Sequence, residues 1–139
     1  MSEFVEVSVS DLSGVALNWA VAMAEGYRAD PEQEEGDGQT VISPEGFYTS
    51  VSKRGAADGF GYRPSTDWSQ GGPLMDKHCK GFGMLQDSTD SRWRSSAYSP
   101  ETGMQRMVGG ETILIAFCRA LVALKLGDVV SVPKDLCHD

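Results

Sequence analysis

The chain has 139 residues, 40% of them hydrophobic, which is enough for one domain with a real core and too apolar for disorder. Its formal net charge of −8 argues against nucleic-acid binding, which needs a basic footprint to displace the counterions around phosphates. The three cysteines (Cys79, Cys118 and Cys137) are an odd count without a C-x-x-C pair, which argues against a disulfide framework and for a reducing compartment.

Met1–Val9 lacks the basic and apolar regions of a signal peptide. Within it, Phe4–Ser8 alternates apolar and polar residues as a half-buried strand does. Ser10 and Asp11 supply N-cap chemistry for a helix over Leu12–Glu25. Its Leu17, Ala20, Val21 and Ala24 share one face, Trp19 widens that face, and Gly26 suits the C′ position. Ala29–Gly38, with Asp30, Glu32, Glu34, Glu35 and Asp37, reads as a solvated acidic loop. Thr40–Ser43 and Gly46–Ser52 predict a hairpin or two strands around Pro44–Glu45.

Lys53–Tyr62 is glycine-rich and reads as irregular, and Leu74–Lys80 suits a short helix. Gly81–Leu85 and Trp93–Tyr98 are strand candidates, while Asp87–Ser91 and Ser99–Gly110 read as loops. Thr112–Leu126 is apolar nearly all round and predicts a buried central helix. Arg119 and Lys125 interrupt it late, where cations suit the helix dipole. The same two charges make it a poor membrane span, so a cytosolic protein is expected. Val129–Val132 reads as a last strand, stopped by Pro133. The order predicts a single compact α+β domain, 1–139, with two main helices packed on a small, mostly antiparallel sheet with long irregular loops.

Four segments then carry a family likeness. LSGVALNWAVAMAEG at Leu12–Gly26, PSTDWSQGGPLMDKH at Pro64–His78, Trp93, and ETILIAFCRALVALKLGDVVSVP at Glu111–Pro133 resemble the NinX-like family of bacteriophage proteins, in the same order. The resemblance implies a phage or prophage accessory protein acting inside a bacterium. It implies no particular activity, so no catalytic residue is carried over. Where the family often places proline after the threonine matching Thr112, this chain has Ile113. Proline is one of several ways to begin a helix, so the fold expectation stands.

The richest polar segment is Arg63–Pro73, which lacks helix or strand periodicity and reads as a loop. Arg63 offers a planar fork for phosphate or carboxylate. Ser65, Thr66, Ser69 and Gln70 offer directional hydrogen bonds, and Asp67 offers an acceptor for hydroxyls or a base amine. Trp68 presents a stacking face, and Gly71 and Gly72 permit close backbone approach to an anion. With the N-terminus of the Thr112 helix beside it, this set suits a small polar anionic, nucleotide-derived ligand. Sequestration of a host defence signal is one use for such binding in a phage. The same residues also fit a structural reading, with Asp67 capping a turn, Trp68 plugging the core and Gly71–Gly72 making a tight bend.

P-loop and dinucleotide-binding glycine patterns are absent. Adjacent His78–Cys79 and Cys137–His138 lack the spacing of metal ligands, so neither a metal site nor a cofactor is expected. Two other functions fit the residues: an acidic module that binds or inhibits a host protein, and a small nucleotide-processing enzyme using Asp67, Asp76 and His78. Arg92 and Arg94 flank Trp93 as a local basic patch, and Tyr62 is a candidate flank for a pocket. The irregular middle also allows a pocket completed across a homo-oligomer interface.

Overall fold

The computed structural model describes residues 3–33, 38–86 and 91–137. Glu34, Glu35 and Asp37 of the acidic segment, Asp87–Asp90, and His138 lie outside the described residues.

The Phe4–Ser8 strand (β1) pairs antiparallel with Val129–Pro133 (β8), with Val7 opposite Val130 and Val5 opposite Val132. The alternation turns these valines inward and Glu6 outward. Ser10 and Asp11 do not cap the first helix. They form a 3-10 turn with Val9, and helix α1 runs Gly14–Ala24 after an extended Ser13. Leu17, Ala20 and Val21 are fully buried on α1, and Trp19 packs edge-on to Phe4 at 5.9 Å. Gly26 has φ +88°, the left-handed geometry expected just beyond a helix end.

The second sheet joins Arg28–Ala29 (β2), Gly38–Ile42 (β3) and Tyr48–Ser52 (β4) in that order. The β3–β4 hairpin buries Val41 and Val51 completely. Its turn is held by Ser43, whose Oγ accepts from the Phe47 N–H at 3.0 Å. The next segment, Lys53–Tyr62, is irregular only in its second part. Ser52 accepts from the Gly55 N–H at 2.9 Å and starts a short helix, α2, at Lys53–Asp58. A Cβ on Gly55 would lie 2.8 Å from the Phe60 carbonyl oxygen, so this glycine is a packing requirement rather than a sign of disorder.

The segment read as a loop is largely helical: α3 spans Trp68–His78, with Asp67 as its N-cap. Gly71, Gly72 and Pro73 give this helix poor intrinsic propensity, and its cap and packing override that preference.

The third sheet is a meander of Phe82–Gln86 (β5), Ser91–Tyr98 (β6) and Gln105–Gly110 (β7). The expected Ser99–Gly110 loop is therefore only a turn before β7. The glycine pair that suggested a loop serves helix packing, since a Cβ on Gly110 would lie 2.7 Å from the Ala116 nitrogen. That nitrogen belongs to α4, Ile113–Leu126, which lies against β6, β7 and α1.

Helix α4 is the buried central helix the sequence predicts, with Phe117, Cys118, Ala120, Leu121 and Val122 fully buried. Each large apolar side chain buried there contributes roughly 1.5–3 kcal/mol before entropy costs. Arg119 corrects the helix-dipole reading. It is a buried mid-helix residue whose Nε donates to the Leu12 carbonyl at 2.8 Å and whose Nη1 donates to the Gly109 carbonyl at 2.9 Å. Its guanidinium ties α4 to β7 and to the turn before α1. The fold is compact α+β, and among the described residues the strands form three small antiparallel sheets around α1 and α4 rather than one sheet.

Candidate functional site

The start of α3 closes on itself. Asp67 Oδ1 accepts from the Ser69 N–H at 2.9 Å and the Ser69 hydroxyl at 2.8 Å. Those bonds, helped by the Arg63 charge, hold the Asp67 carboxyl below the usual carboxylate range. The Arg63 guanidinium contacts Asp67 Oδ2 at 3.0 Å and donates to the Gly61 carbonyl at 3.0 Å. Gln70 completes the buckle: its Oε1 accepts from the Arg63 N–H at 2.7 Å, and its Nε2 donates to the Gly61 carbonyl at 2.9 Å.

Ser65 faces inward, where its N–H and hydroxyl both donate to Asn18 Oδ1, at 3.0 and 2.7 Å. Thr66 makes only a long 3.5 Å contact to the Arg63 carbonyl. A Cβ on Gly71 would lie 2.4 Å from the Pro64 carbonyl oxygen and 2.7 Å from Leu114 Cδ2, so α3 meets α4 through this glycine. Gly72 has ordinary room, with Trp68 Cε3 at 3.9 Å. Trp68 does not plug the core; it is 56% exposed. Thr112 Oγ accepts from the Ile115 N–H at 3.1 Å and caps α4, one turn from the Leu114 contact.

Across α3 lies a cleft of about 690 Å³, a volume typical of small-molecule sites. Of the expected site residues, Ser69 and Gln70 line it; Arg63, Ser65, Thr66, Asp67, Trp68, Gly71, Gly72 and Thr112 do not. Its aromatic wall is Tyr27, Tyr62 and Phe47, with the two tyrosine rings 5.0 Å apart and tilted 38°. Burial pushes the Tyr62 phenol up strongly, while burial and the charges of Glu45 and Glu25 push Tyr27 up. Both phenols are therefore neutral donors near neutral pH. Lys77 is the cation of the lining, which also contains Glu25 and Glu45. Tyr62, expected as a flank of a pocket at Arg63–Pro73, lines this cleft; Tyr27, Phe47, Glu25, Glu45 and Lys77 carried no sequence signal, because turns and helix faces far apart in the chain bring them together.

Glu25 also borders a second cleft of about 360 Å³ with His78, Lys125 and Ser99. His78 Nε2 lies 3.1 Å from Glu25 Oε2 without an aligned N–H bond. Burial, reinforced by Lys125 and Lys77, lowers the imidazole's pKa against the opposing pull of Glu25. Cys79 turns elsewhere, donating to the Gly81 carbonyl at 3.4 Å, so His78 and Cys79 do not form a nucleophile–base pair. The three cysteines are free, and burial pushes the Cys118 thiol up to about 12. Among the described residues, no group of three or more His, Cys, Asp or Glu side chains could hold a metal ion, and no helix is long and apolar enough to cross a membrane.

The class defined by these features is a small α+β protein with a central apolar helix and an aromatic-walled cleft under a capped, glycine-containing helix. The chain belongs to the bacteriophage P22 NinX family, whose model matches residues 8–125. That span takes in α1, α3, both clefts and nearly all of α4. No curated protein matches the chain.

Proposed function

We propose that this phage accessory protein acts in the bacterial cytoplasm by binding, without catalysis, a small nucleotide-derived ligand. The ligand lies in the cleft between α3 and the Tyr27–Tyr62 wall. The observation that carries this reading is the cleft itself, whose lining combines the aromatic side chains of Tyr27, Phe47 and Tyr62 with the unengaged Glu45 and Lys77. A nucleobase stacks on the tyrosine side. Lys77 meets the anionic end, and Glu45 accepts from ribose hydroxyls or a base amine. Ser69 contributes as wall, because its N–H and hydroxyl both donate to Asp67. Gln70 contributes as wall, because both ends of its amide are already bonded. With carboxylates at Glu25 and Glu45, the cleft favours a ligand of low charge, such as a nucleoside monophosphate or a cyclic diester, over a triphosphate. Held in this way, a host defence signal is withdrawn from its receptor.

Melting curves recorded with nucleotides, cyclic oligonucleotides and ADP-ribose derivatives test the proposal. A ligand at a hundredfold excess over its Kd raises the melting temperature by about 5–10 °C. Lys77→Ala and Tyr27→Leu abolish that rise. A flat response across the panel, or a rise that survives both substitutions, overturns the assignment.

A further inference from the structure

The third sheet differs in charge from the rest of this acidic chain. Strands β5, β6 and β7 contain Arg92, Arg94 and Arg106 and no carboxylate. Lys80, just before β5, lies 5.0 Å from the centre of the Tyr98 ring. Arg106 is paired with Asp128, and Arg94 is exposed.

Strand β5 is an edge of this sheet, and its sequence FGMLQ has neither charge nor proline, the usual devices that stop an edge from pairing. The Gly81 carbonyl accepts from the Ser96 N–H at 2.9 Å. Antiparallel alternation then turns Gly83 toward β6 and leaves the backbone N–H and C=O of Phe82 and Met84 facing outward. Phe82, Met84 and Met107 are 56%, 47% and 57% exposed. Together with Gly81, Gly83 and Arg94 they line an open apolar hollow of about 540 Å³.

Gly83 pairs with Arg94, and a Cβ on Gly83 would have nothing within 4 Å. A strand added outside β5 would sit one spacing, about 4.8 Å, beyond Gly83. Arg94 lines the same hollow, with its Nε 3.7 Å from where a Cβ on Gly109 would lie. To meet the added strand its side chain swings across Gly83, which has no side chain to block the way.

We propose that β5 is a docking edge for an extended acidic segment of a partner protein. The segment adds as a fourth strand and places a carboxylate opposite Gly83, where it meets Arg94. Main-chain bonds to Phe82 and Met84 give affinity, the apolar hollow takes alternate side chains, and the cations select the charge. A second copy of this chain fits the edge less well, because its β5, FGMLQ, brings no carboxylate. Nucleic acid lacks the peptide groups that the edge bonds, and it meets a chain of net charge −8.

Fluorescence anisotropy with two labelled peptides tests the docking edge: a short alternating valine–glutamate peptide and its valine–lysine counterpart. The glutamate peptide binds about tenfold tighter or better. Met84→Pro removes one outward N–H while sparing the β5–β6 bonds, and it abolishes binding with the melting temperature unchanged. Gly83→Val, which has room for its side chain, leaves the edge intact and erases the preference for glutamate. Equal binding of the two peptides, no binding of either, or a folded Met84→Pro variant that still binds overturns the proposal. So does tighter binding of oligothymidylate, or a dimer in sedimentation that Met84→Pro dissociates.

Discussion

The Arg63–Gly72 stretch and the cleft wall across α3 hold similar numbers of polar groups and use them in opposite ways. In the first, Arg63, Ser65, Asp67, Ser69 and Gln70 bond mostly to one another, to Gly61 or to Asn18. In the second, Tyr27, Tyr62, Glu45 and Lys77 make no side-chain hydrogen bond or ion pair among the described residues and face open space. A polar-rich segment therefore reads as a ligand surface in sequence whether its groups are free or already paired. Only the fold separates the two, because a buried polar group must find a partner within the protein while a rim group keeps its capacity for something else.

The sharpest way to break this contrast is Gly71→Val. Its side chain would collide with the Pro64 carbonyl and Leu114, forcing α3 off α4. The expected destabilisation is about 3 kcal/mol by chemical denaturation, whereas a merely ligand-facing glycine would cost nearly nothing. Next comes Asn18→Ala, which leaves the Ser65 N–H and hydroxyl without their buried acceptor. It is expected to cost about 2 kcal/mol, and Ser65→Ala in the same background recovers part of that loss, as a double-mutant cycle will show.

Asp67 gives the smallest effect and the one that depends on pH. Its folded-state pKa lies below the unfolded value, so the bonds to Ser69 and Arg63 stabilise the fold above the ordinary carboxylate range, about pH 4. That contribution disappears as pH falls through the folded value. Melting curves of the parent and Asp67→Asn should differ near pH 7 and converge under acid. A constant gap at all pH values would mean that the carboxylate charge is not what caps α3.

Elements with strong patterns were legible in sequence. Helix α4 announces itself through Ile113, Ala116, Phe117, Ala120 and Leu124, and β1 and β8 through alternating valines. Helix α3 was hidden because Gly71, Gly72 and Pro73 lower its propensity, and the compensating contacts come from Pro64 and Leu114. Strand β7 was hidden for a related reason, its glycine pair reading as a loop while in fact admitting α4. Arg119 read as a helix-dipole cation because its acceptors, Leu12 and Gly109, lie 107 and 10 residues away in the chain. The cleft was the least legible feature. Its walls come from the end of α1, the β3–β4 turn, Tyr62 and one face of α3, and no local pattern joins them.

The central claim is that Arg63–Gly72 holds the fold while the cleft beside it is free to bind. It is tested most directly by the melting temperature of Arg63→Ala without any ligand present. The account predicts a melting point several degrees below the parent, because the Gly61 carbonyl and Asp67 both lose the guanidinium. An unchanged melting temperature would contradict it and return Arg63 to the ligand surface.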